Sequence, residues 1–206
     1  MSARTRLTAR IRDAERAYLE DGLARGSAAA REWLSRADAA WRRLTASDEG
    51  DDGLECVSVA LRYQREEASR LALAAVLAPG PRTPTRGELL RLALAGGGRG
   101  VERACALTRM IGDVCPDPMQ TVRMRALAAV LDMAAGRYGD ALDGARETLS
   151  FDPSDPWAAG LVDLLPEPAG MRGMWSAPPM RTCEPEDVGP ATAGRTTTRP
   201  MMKGND

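Results

Sequence analysis

Gly136-Arg137-Tyr138-Gly139-Asp140-Ala141-Leu142-Asp143-Gly144-Ala145-Arg146-Glu147-Thr148-Leu149-Ser150-Phe151-Asp152-Pro153 is the stretch that decides the fold class. A glycine opens a tight turn and an aromatic starts a helix. Ala141, Leu142, Ala145 and Leu149 then recur at helical spacing, and Asp152-Pro153 stops the run. It reads as the second helix of a helix–turn–helix unit.

The rest of the chain agrees. Hydrophobic residues make up 44% of the 206 residues but aromatics only 4%, so a core must be built from Leu, Ala, Val and Met. The β-branched and aromatic residues that sheets favour are scarce, whereas helix formers dominate the first 165 residues. The class is all-α. Leu7, Ile11, Ala14 and Tyr18 predict a helix over 4–24, and Ala30, Trp33, Leu34, Ala37, Trp41 and Leu44 one over 28–46. Joined by Gly26-Ser27, these form an antiparallel hairpin over 1–47, with Trp33 and Trp41 anchoring it to the remainder.

An acidic, glycine-bearing loop follows, then a strongly apolar helix over 54–78 whose charged Arg65-Glu66-Glu67 marks a bend or break. Pro79-Gly80-Pro81 ends it. Further helices are predicted over 86–95, 101–113, 119–135, 138–151 and 157–165, giving a second helical region over 54–165. Residues 166–206 carry seven prolines and few aliphatic residues. Such a segment does not offset about 1–2 kcal/mol of backbone entropy per residue, so it is expected to be a disordered, flexible tail. Its apolar island, Met171–Met180, suits docking on the helical body, a free binding motif, or neither.

The net charge of −1 argues against a general polyanion binder. Residues 1–47 hold 10 Arg against 6 acidic residues, which reads first as a solvated helix face. Lys203 is the only lysine, a bias expected of a GC-rich genome. Residues 1–12 have no apolar segment of the export-signal kind, and no run reaches the ~18 apolar residues of a membrane span. The expected setting is cytoplasmic, with Cys56, Cys105, Cys115 and Cys183 reduced.

Residues 136–153 resemble the second helix of the tetratricopeptide repeat. Gly136 and Tyr138 match the turn glycine and following aromatic, Ala141 and Ala145 match the small crossing positions, Asp152-Pro153 matches the ending, and Ala129 fits the small position of the first helix. The sequence departs from that pattern at Arg125 and Asp132, where aromatics belong, and at Thr148, where alanine belongs. A fainter copy lies 37 residues upstream (Val101, Ala104, Cys105, Pro116), above the usual spacing of about 34. The resemblance covers about 86–165. The run from Arg70 to Leu165 also resembles the helical C-terminal half of an uncharacterised actinobacterial family, which fits such a host or a phage of one.

The resemblance implies a right-handed array of stacked antiparallel hairpins and a protein-interaction or scaffold role. It also implies a partner-binding groove lined by Arg123, Ala126, Val130, Met133 and Ala134, with an apolar helix as guest. The alternative is a nucleic-acid-associated regulator using Arg4, Arg6, Arg10 and Arg12. No catalytic, cofactor or metal site is expected. The chain has no histidine, which removes the Ser-His-Asp triad and the commonest general base. The cysteines show no zinc spacing. Gly96-Gly-Gly98-Arg-Gly100 reads as a turn, because no strand precedes it and no Gly-Lys-Ser/Thr follows. Glu66-Glu67 and Asp51-Asp52 read as solvated surface. The partner and oligomeric state are open.

Overall fold

A computed structural model describes residues 3–47, 50–115 and 117–165. Among them every regular element is helical: α1 (Ala3–Arg25), α2 (Ser27–Ala46), α3 (Leu54–Tyr63), α4 (Arg65–Leu77), α5 (Arg86–Ala95), α6 (Val101–Val114), α7 (Pro118–Ala134), α8 (Tyr138–Phe151) and α9 (Pro156–Leu164). The expected tail and its Met171–Met180 island lie outside the described residues.

Three of the helices, α5, α7 and α9, start where short polar side chains satisfy free N–H groups. Thr85 and Glu88 form a reciprocal capping box at α5, and Asp117 accepts from the Met119 amide at α7. Asp155 accepts from the Trp157 and Ala158 amides at α9, both at 2.9 Å. Pro118 and Pro156 occupy first-turn positions, where a missing N–H costs nothing. Between α7 and α8, Gly136 adopts φ +80°. There the Gly136 amide bonds the Met133 carbonyl and the Arg137 amide bonds the Asp132 carbonyl, which closes the end of α7.

The predicted 54–78 helix is two helices. Gln64 leaves helical geometry at φ −127° and ψ 42°; its side-chain amide donates to the Ala30 carbonyl of α2 at 2.8 Å. This turn swings Arg65 towards the α8–α9 junction. There it pairs with the fully buried Asp155 and, at 3.5 Å, with Asp152.

α7 lies at the centre, packed on α6 and α8 and also on α5 and α9. Ala129, Ala141 and Ala145 are all at most 1% exposed where α7 crosses α8. A Cβ on Gly144 would stand 3.3 Å from the Ala129 Cβ, so the two backbones approach closely. One apolar core joins Leu7 and Ile11 of α1, Trp41 of α2, Leu61, Leu73, Leu89, Leu107, Leu131 and Leu161. The Trp41 indole donates to the Ala72 carbonyl at 2.9 Å, whereas Trp33 sits in a smaller cluster with Cys56 and Val59, edge-on to Tyr18. α5 packs on α4, α7 and α9, and α6 packs on α7 and on the first four helices. The fainter upstream copy therefore does not fold as an α5–α6 hairpin like that of α7 and α8.

Removing Arg65 leaves a carboxylate buried without its counter-charge. Arg65→Met should lower unfolding stability by about 3 kcal/mol in urea titration, and adding Asp155→Asn should restore most of it. An Arg65→Met variant as stable as the parent would show that the pair carries no weight.

Candidate functional site

The residues that the repeat resemblance assigns to a groove do not line a common one, although Ala134 borders a hollow beside Thr45 and Gly97. Val130 and Met133 are 0% exposed, Ala126 and Ala134 are nearly so, and all four belong to the central core. The reason is that α7 is covered on several sides, by α5 and α9 as well as α6 and α8, so its apolar face is already occupied. Arg123 is part-buried and has a buried Nε without a hydrogen-bond partner among the described residues; the nearby Asp152 carboxyl is held below its usual range chiefly by the Ser154 hydroxyl, with Arg65 and Arg123 adding to it.

A different side of α7 is less completely covered, with Thr121 and Arg125 reaching solvent and Met124, Ala128, Ala129 and Asp132 buried below them. Thr121, Met124, Arg125, Ala128, Ala129 and Asp132 recur at three- and four-residue steps and form the floor of a groove of about 520 Å³. Arg109, Gly112 and Asp113 of α6 make one wall; Asp140, Asp143, Gly144 and Glu147 of α8 make the other. The volume falls within the usual range of about 300–1,000 Å³ for ligand sites. Small residues let the walls close on the floor. The Ala128 side chain is buried and Gly112 lies against Met124. The rim is what solvent meets.

That rim is acidic. Five carboxylates (Asp113, Asp132, Asp140, Asp143, Glu147) face two arginines. Asp132, 3% exposed, is neutralised from both sides, by Arg109 and Arg137 at 2.8 Å each. Arg125 pairs with Glu147 across the α7–α8 seam. Asp113, Asp140 and Asp143 form no ion pair among the described residues, so the groove keeps three uncompensated negative charges. Asp140 lies in the first turn of α8, where the helix dipole favours a carboxylate. No three acidic or cysteine side chains among the described residues are placed to hold a metal ion together.

Behind the floor, Arg137 links Glu102, at 2.6 Å, to Asp132. Its hydrogen bonds to Glu102 and then to Asp132 raise its pKa further above the ordinary value. Cys105 donates its thiol to Asp132 at 3.4 Å. Burial first, and the Asp132 carboxylate second, push that thiol up to about 11. Burial also raises Cys56 and Cys115. All three thiols are thereby held in the protonated form, and Cys115 donates to the Gln120 side-chain carbonyl at 2.6 Å.

The arginines of α1 are partly spent inside the fold. Arg10 pairs with Asp51 at 3.0 Å and with Glu55, and Arg4 donates to the Asp113 carbonyl. Arg6 and Arg12 remain exposed. Gly96–Gly100 is a turn in which Gly97 donates to the Ala134 carbonyl at 2.9 Å. No helix among the described residues is long and apolar enough to cross a membrane. The acidic spacing Asp140, Asp143, Glu147 was visible in the sequence as one helical flank. That α6 stands opposite was not.

Comparison with protein-family models, curated proteins and solved structures found no match.

Brief iodoacetamide treatment of the folded protein near pH 8, about three units below the Cys105 pKa, should leave Cys105 unlabelled by mass spectrometry. Unfolding in guanidinium chloride should make it reactive. Rapid labelling in the folded state would contradict its burial.

Proposed function

We propose that the protein is a non-enzymatic interaction module that holds a cationic segment of a protein partner in the α6–α7–α8 groove. The observation that carries this reading is the uncompensated charge of Asp113, Asp140 and Asp143 on opposite walls of an open trough. Complementary charge speeds encounter and selects partners, and carboxylates on a rigid helix frame suit the guanidinium fork of arginine. On this reading α7 and α8 form a single degenerate tetratricopeptide-like hairpin. Its close crossing and glycine turn support the likeness, and the charged residues at 125 and 132 replace the usual aromatic lining. The guest is therefore basic rather than apolar.

The test is fluorescence anisotropy with a labelled oligo-arginine peptide and the full chain. Binding should fall as salt rises, since exposed pairs are screened over about 10 Å at 0.1 M. Asp140→Asn with Asp143→Asn should weaken it about tenfold, the sum of two exposed pairs at about 0.7 kcal/mol each. Asp163→Asn, on exposed α9 surface, should change nothing. Affinity indifferent to Asp140 and Asp143 would refute the groove.

A further inference from the structure

Resting on that groove reading, we infer that the guest segment is an α-helix of about three turns, carrying arginines on both flanks. All three helices facing the trough present it with the same periodicity: 109, 112, 113 on α6; 121, 124, 125, 128, 129, 132 on α7; 140, 143, 144, 147 on α8. Residues at such steps form the ridges and grooves into which another helix packs. α6 and α8 both pack closely on α7 and at most marginally on each other, so the trough between them is the position of a further rod. An α-helix separated from each neighbour by about 8–10 Å occupies that position.

The length follows from the floor. Thr121 to Asp132 spans 11 residues, about 16 Å at 1.5 Å per residue, or three turns of a guest helix. Its flanks meet charge. Asp140 and Asp143 lie one helical step apart on one wall and Asp113 on the other. Arginines three residues apart on one flank, with a third on the opposite flank, reach all three.

Three alanine-based peptides of equal length and charge test this against the full chain. One carries its arginines in that register, one distributes the same arginines around the helix, and one contains a central proline that forbids helix. The register peptide should bind about tenfold more tightly than either control, a gap worth about 1.4 kcal/mol. Asp113→Asn should remove the advantage of its third arginine. Equal binding of the three peptides, with loss on Asp140→Asn/Asp143→Asn, overturns the helical guest and leaves the acidic groove standing. Tightest binding of the proline peptide overturns it in favour of an extended guest. Binding of all three that ignores Asp113, Asp140 and Asp143 overturns the helical guest together with the groove.

Discussion

The close crossing of α7 on α8 is the constraint that the other helices build upon. Ala129 and Gly144 meet where the hairpin is tightest, and a single added methyl at 144 would already press on Ala129. Because α8 lies so near, the remaining sides of α7 are free to receive α6, α5 and α9. The Gly136 turn fixes the angle at which the two rods part, through the paired bonds that close α7. Forcing a larger side chain into a contact of this kind costs about 1–3 kcal/mol, since close-packed helices do not yield gradually.

Much of this was legible in the residues. Prolines, glycines and short polar caps punctuate the chain so regularly that the ends of most helices fall within a residue or two of their predicted positions. The break within 54–78 was signalled by charge in the middle of an apolar run. Its position at Gln64, however, depends on contacts to Ala30 and Asp155, which are 34 and 90 residues away. Periodicity sees neighbours at three and four residues, not partners at that distance. The same limit applies to α7. Its apolar residues run around most of its circumference, so the pattern marks a central helix but does not say which side stays uncovered.

The two positions at which α7 departs from the repeat pattern have a shared physical sense. Arg125 and Asp132 both face the groove, and both are tied to neighbouring helices by ion pairs. Asp132 is the more demanding of the two. A carboxylate 3% exposed is tolerable only with its full complement of partners, and Arg109, Arg137 and Cys105 supply them. Together these two charges make a polar seam along the groove side of α7.

Gly100 bears on how the molecule can be taken apart. It sits at φ +80°, and a Cβ there would stand 2.2 Å from the Thr45 carbonyl oxygen. The end of α2 and the start of α6 thus come into main-chain contact at this point. This main-chain contact adds to the side-chain packing of Leu7, Ile11 and Trp41 that joins the N-terminal hairpin to the rest. Excising the hairpin at the loop near residue 50, or grafting it onto another scaffold, would uncover both that backbone contact and the apolar faces of α1 and α2.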